Sequence, residues 1–154
     1  MRIPLIYLVF IFAITAWSCE NNDNNNCDGI DCFTPPSPFY FELVDKTSGE
    51  NLFTTGVLNA DDIKVINLDD QSNVDFDFID ENDANIIRIH TIGWETQIAN
   101  YSIESSTEHL FTLYVDAEVI NENCCAYTRY NEIGIDGLDF EQNEHSGVYQ
   151  ILVE

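Results

Sequence analysis

The chain has 154 residues, of which 28 are Asp or Glu and only 5 are Lys or Arg, for a formal charge of −23. Such a field repels phosphate backbones and anionic headgroups, so it speaks against nucleic-acid and lipid-headgroup binding and favours cations as counterions. With 45% hydrophobic residues the sequence still carries enough apolar side chains for one domain with its own core.

Arg2 is followed by an almost unbroken apolar run over residues 3–16. The run is shorter than the roughly 20 residues a spanning helix needs, ends in small residues and has no Lys or Arg flank behind it. Residues 1–18 are therefore predicted to be a signal peptide. Its end, Ala16-Trp17-Ser18-Cys19, resembles the lipobox of bacterial lipoproteins in a relaxed form, with Trp17 and Ala16 in place of the commoner aliphatic residues. The resemblance implies that Cys19 becomes the N-terminus and carries palmitate-type acyl chains. At about 0.8 kcal/mol per buried methylene, several chains attach a protein permanently where one would not.

Residues 20–31 are Asn, Asp and Gly with little to bury, so they do not offset the entropy of ordering. Pro35, Pro36 and Pro38 stiffen the end of this stretch. The expected organisation is a tether over residues 19–38 and a folded domain over 39–154. Glu20 and Asp23 also resemble the acidic signal that sends lipoproteins of the Bacteroidetes to the cell surface. The location implied is the outer membrane, on its surface or periplasmic face, with the lipid as the membrane contact.

Cys27, Cys32, Cys124 and Cys125 remain, and an even number outside the cytoplasm predicts two disulfides with three pairings open. Adjacent Cα atoms lie about 3.8 Å apart, under the roughly 4.4 Å minimum for an ordinary disulfide, which disfavours a Cys124–Cys125 bond. Closure of Cys27 on Cys32 would leave the other two unpaired. The favoured reading crosses the pairs, 27/32 with 124/125, and staples the end of the tether to the domain. A four-cysteine zinc site is set aside because adjacent cysteines chelate poorly.

From Phe39 onward the hydrophobic period is two. Phe39, Phe41 and Leu43 alternate with Tyr40 and Glu42; Val74, Phe76 and Phe78 alternate with Asp75 and Asp77. Further strands are expected over residues 63–66, 86–92, 97–104, 111–119, 124–135 and 147–153, separated by turns rich in Gly, Asn and Asp. The prediction is an all-β domain: an antiparallel β-sandwich, Ig-like or transthyretin-like, of seven to eight strands. A closed barrel is the competing architecture. The stretch from Phe41 to Phe53, FELVDKTSGENLF, resembles a segment of small lipoproteins from flavobacteria and their relatives. That resemblance carries localisation and brings no activity with it.

Signals for chemistry are weak. His90, His109 and His145 stand in no His-Glu-x-x-His spacing, and no Gly-x-Ser-x-Gly elbow exists. His90 is read as a surface histidine beside Arg88. A Ser-His-acid assembly brought together only by folding is left open at this level. Asp75, Asp77, Asp80, Glu81 and Asp83 cluster around one turn, and their oxygens make it the candidate calcium site. The spacing departs from an EF-hand at Ile79, and solvated turns are the plainer account of these acids. Trp94 is read as core filling between sheets, with an exposed platform for a sugar ring or a protein partner as its functional alternative. Arg129 is expected to pair with a neighbouring acid. The function expected is binding, without catalysis and without a cofactor, to an envelope or extracellular protein or a glycan. A calcium-stabilised accessory domain is the rival, and a small hydrolase a distant third.

Overall fold

The computed structural model describes residues 32–81, 84–106, 108–122 and 124–154. Cys19 and Cys27, the leader and most of the expected tether lie outside these residues. The described chain belongs to one compact unit spanning residues 31–154.

Ten strands form two five-stranded sheets among the described residues. In chain order they are β1 (Cys32–Phe33), β2 (Phe39–Asp45), β3 (Ile63–Asn67), β4 (Asp77–Ile79), β5 (Ile86–Ile89), β6 (Gln97–Ser105), β7 (Glu108–Glu122), β8 (Cys125–Asp136), β9 (Asp139–Gln142) and β10 (Tyr149–Val153). The first sheet runs β1-β8-β7-β6-β3 and the second β4-β5-β2-β10-β9. A 3-10 turn at Ala60–Asp62 precedes β3, and the Asn59 side chain accepts from its Asp61 amide. Among the described residues no helix is long and apolar enough to cross a membrane.

Period-two patterning produces this arrangement directly. Phe39, Phe41 and Leu43 of β2 point inward, as do Ile87 and Ile89 of β5 and Ile151 of β10. They meet Ile103 of β6 and Phe111, Leu113, Val115 and Ala117 of β7 from the other sheet. The Phe41 and Phe111 rings lie 5.2 Å apart across the layer. Complete burial of a side chain of this size contributes about 1.5–3 kcal/mol, so these inner faces dominate the stability of the fold.

The architecture is the expected β-sandwich, with two corrections. There are ten strands rather than seven or eight, because β1 and β9 show no alternation: β1 has two residues, and all four of β9 are exposed. The sheets are also mixed. β1 runs parallel to β8, and β10 runs parallel to β2, from Tyr149 beside Phe41 to Val153 beside Asp45. Parallel partners are joined through space after long crossovers, and a local alternation pattern does not encode them. The segment predicted as one strand around Val74–Phe78 is divided. Asn73 bridges Ile66 and the Val74 amide bonds the Val65 carbonyl in the first sheet, whereas Asp77–Ile79 pair with β5 in the second.

Candidate functional site

The corner where β1 meets β8 carries the most unusual surface. Cys32 is disulfide-bonded to Cys125, with Cα atoms 4.5 Å apart, and the same two residues are partners in the parallel β1–β8 ladder. This joins one cysteine pair to the other, as the crossed reading expects. Cys124 is disulfide-bonded as well. It occupies the left-handed region (φ 69°) in the β7–β8 turn, so the two adjacent cysteines sit in different backbone environments.

Beyond the disulfide, the Thr34 amide donates to the Ala126 carbonyl at 2.9 Å, and residues 34–38 then cross from the first sheet to β2 in the second. This strap is fixed at its far end by the Tyr130 hydroxyl, which donates to the Ser37 carbonyl at 2.8 Å. Gly93 packs beneath it. A Cβ at position 93 would lie 2.8 Å from Thr128 Cγ2, 3.0 Å from Pro36 Cβ and 3.1 Å from the Tyr130 hydroxyl, and φ is +92°, so only glycine fits. Thr128 Oγ1 donates to the Gly93 carbonyl at 2.5 Å.

This packing turns Trp94 outward. The indole is 58% exposed, which corrects its reading as core filling. Its Nε1 donates to the His90 carbonyl at 2.8 Å, and its ring stacks on Phe33 with centroids 6.1 Å apart. Phe33 is itself 57% exposed. The pair is thus an outward aromatic platform whose two rings are anchored through a disulfide neighbour and a main-chain bond. The turn residues around Trp94, namely Gly93, Glu95 and Thr96, are the sequence signal for its exposure. Phe33 carries no such signal and falls within the expected tether.

A cleft of about 370 Å³ adjoins the strap. A β-bulge shapes it: β8 carries Asn131 as an extra residue between the partners of Asp116 and Ala117. Tyr130 and Ile133, three positions apart, therefore face the same side, as partners of the inward Ala117 and Val115. Phe39 and Tyr149 form the floor, with ring centroids 6.4 Å apart, and Phe39 meets Tyr130 edge-on at 5.2 Å. Burial pushes the phenol pKa of both Tyr130 and Tyr149 upward, and a side-chain hydrogen bond with Gln142 partly opposes this at Tyr149.

The acidic turn is organised differently. Asp77 is engaged by Arg88, whose Nε and Nη2 donate to one carboxylate oxygen at 2.9 and 2.5 Å, while His90 Nδ1 lies 3.1 Å from the same oxygen. These bonds hold the Asp77 carboxyl below its ordinary pKa, the Arg88 hydrogen bond contributing most. Asp75, Asp80 and Glu81 are exposed, and Asp83 lies outside the described residues. Among the described residues no three His, Cys, Asp or Glu side chains are placed to hold a metal ion. Nearby, Asn51 ties two loops together: its Nδ2 donates to the Asn85 carbonyl at 3.1 Å and its Oδ1 accepts from the amides of Phe53 and Thr54.

One Ser-His-acid group does come together, on the β6–β7 hairpin. Ser102, 3% exposed, lies 3.0 Å from Glu104 Oε1 and 3.1 Å from His109 Nδ1, and Thr112 Oγ1 sits 3.4 Å from His109 Nε2. In a nucleophilic triad the histidine stands between serine and acid. Here the serine stands in the middle and the acid does not hold the base. The arrangement is a hydrogen-bonded chain that satisfies a buried hydroxyl. Arg129 pairs with Glu118 at 2.6 Å, the acid partner expected for it, and Lys46 pairs with Asp139 at 3.0 Å and Glu154 at 3.1 Å.

No family model matches the chain, and no match is found among curated proteins or solved structures.

Proposed function

We propose that this protein is a lipid-anchored binding module of the bacterial cell envelope. In this reading Cys19 carries the acyl chains, the Asn- and Asp-rich stretch holds the sandwich away from the outer membrane, and the domain binds a partner without transforming it. The observation that supports binding is the Trp94–Phe33 platform. A large indole left 58% exposed forgoes the burial that usually places tryptophan in a core, yet here it is fixed by a main-chain hydrogen bond, a ring stack and a glycine that admits no other residue. Rigid, exposed aromatic side chains are the commonest energetic anchors of binding surfaces, because they bring contact area at little entropic cost.

Two measurements test the reading. The intact mass of the native protein should start at Cys19 and include acyl chains; a mass starting at Met1 without lipid would remove the anchor. The purified full-length protein should bind envelope material, polysaccharide or protein, and Trp94→Ala should weaken that binding about tenfold or more. Equal binding by both forms, or none by either, would remove the platform's role.

A further inference from the structure

We propose that the cleft between β8 and the β9–β10 turn is a binding site for an uncharged sugar ring within an oligosaccharide. The proposal rests on the binding-module reading and adds the site and the ligand class.

The first argument is charge. In a chain with 28 acidic residues, the side chains lining this cleft include no Asp, Glu, Lys or Arg. Two other clefts among the described residues are different: one of about 590 Å³ is walled by Lys46, Glu108, Asp136, Asp139 and Glu154, and one of about 530 Å³ includes Asp80. A cationic ligand would be drawn to the acidic clefts, and an anionic one would be repelled by the surrounding field. A neutral ligand is what remains suited to the uncharged cleft.

The second argument is the kind of surface. A sugar ring presents an apolar C–H face and a rim of hydroxyls. The cleft offers a matching division. Half-buried Tyr130 and Ile133, 40% exposed, form the apolar wall, backed by the nearly buried rings of Phe39 and Tyr149, of which only the edges reach the cleft at 5% and 8% exposure. Ser37 and Gln142 supply hydroxyl and amide groups at the rim. A purely apolar ligand would cover the Ser37 hydroxyl without offering it a partner. The volume of about 370 Å³ falls in the lower part of the roughly 300–1,000 Å³ range of small-ligand sites.

The third argument concerns the alternative of an extended peptide added to β8. Beyond Ala126 the outer edge of β8 has no strand partner among the described residues, which invites such an addition. The Tyr130 hydroxyl, however, ties Ser37 of the strap to β8 beside the cleft, and a peptide on that edge would take up main-chain bonds and leave the aromatic lining unused. The same strap leads from Ser37 in the cleft through Pro36, against Gly93, to the Phe33–Trp94 platform. A second ring of a bound oligosaccharide could therefore stack on the indole.

The test uses the isotope-labelled full-length protein. It is titrated with neutral hexasaccharides of glucose, mannose and xylose, with an oligogalacturonate as the charged control and with an uncharged, proline-free peptide rich in Thr and Val as the strand-forming rival. Neutral sugar should shift the amide signals of Tyr130, Ile133 and Gln142, and the charged sugar should not. Ile133→Asp, which places a carboxylate on an already exposed flank, should weaken binding about tenfold or more, and the milder Gln142→Ala several-fold. The proposal is overturned if the neutral sugars leave these amides unmoved at millimolar concentration, if their shifts fall outside the cleft, or if the peptide alone binds there. Loss of sugar binding with Trp94-dependent envelope binding retained removes the sugar site alone. Loss of both removes the binding-module reading as well.

Discussion

The two open sides of the sandwich are closed in different ways. On the side of β3 and β4 the backbone itself passes from one sheet to the other: Asn73 and Val74 pair with β3, and a few residues later Asp77–Ile79 pair with β5. Main-chain bonds stitch that side, and Asn51 adds a side-chain tie between its loops. Acids populate its turns, with Asp77 held by Arg88. On the side of β8 and β9 the backbone crosses through Gly137 and Leu138 at one end. At the other end a strap, residues 34–38, makes a second connection, fixed by the Cys32–Cys125 disulfide, the Thr34–Ala126 main-chain bond and one tyrosine hydroxyl. The stitched side forms with the ladder of the sheets. The strap depends on a few separate ties, and it borders an uncharged aromatic cleft. Binding surfaces belong where closure is local and the rest of the scaffold does not depend on it.

Substitutions can be ranked by how hard they press on this contrast. Cys125→Ser should cost the most, about 2–5 kcal/mol in chemical denaturation, because it removes a cross-link between residues 93 apart in sequence. Asn51→Ala acts on the stitched side, where a part-buried amide would lose its bonds to both loops. The expected loss is about 1–3 kcal/mol by the same measurement. Tyr130→Phe keeps the ring and deletes the bond to Ser37, and should cost about 0.5–1.5 kcal/mol while freeing the strap.

The smallest effect is electrostatic and is lost in acid. Arg88 holds the Asp77 carboxyl below its ordinary 3.8. A depressed carboxylate pKa gives stability that is present above the unfolded value and lost as pH falls through the folded one. Thermal unfolding followed against pH should therefore show wild-type stability declining below about pH 4 with a contribution from this pair that Asp77→Asn removes. Near neutral pH Asp77→Asn should be slightly less stable than wild type, the gap kept small because both partners of the pair are roughly 40% exposed and solvent screens them. The gap should close as the pH falls below about 4.

The inner faces of β2 and β7 can be read from the chain, since Phe39, Phe41 and Leu43, like Phe111, Leu113 and Val115, occupy alternate positions and all are buried. That a cysteine of the 27/32 pair bonds one of the 124/125 pair is legible, because adjacent cysteines bond poorly to each other. The choice of Cys32 for Cys125 is set by the β1–β8 register and is not. The division of residues 73–79 between two sheets is hidden, because alternation reports which face is wet and says nothing about which neighbour supplies the ladder. The cleft is equally hidden. Its walls come from Ser37 and Phe39, from Tyr130 and Ile133, and from Gln142 and Tyr149, which only the fold and one bulge bring together. Trp94 shows how a residue's type can mislead: tryptophan predicts burial on average, while the glycine and polar residues beside it predict a turn.

A disulfide-held strap, separable from the backbone-stitched side, shapes the proposed binding side of this sandwich. Native-state hydrogen exchange before and after disulfide reduction tests it most directly, by comparing the Thr34 amide, bonded to Ala126, with the Val74 amide, bonded to Val65. The account predicts that reduction accelerates exchange at Thr34 and leaves Val74 protected to the level of global unfolding. Equal acceleration at both amides, or none at Thr34, would contradict it.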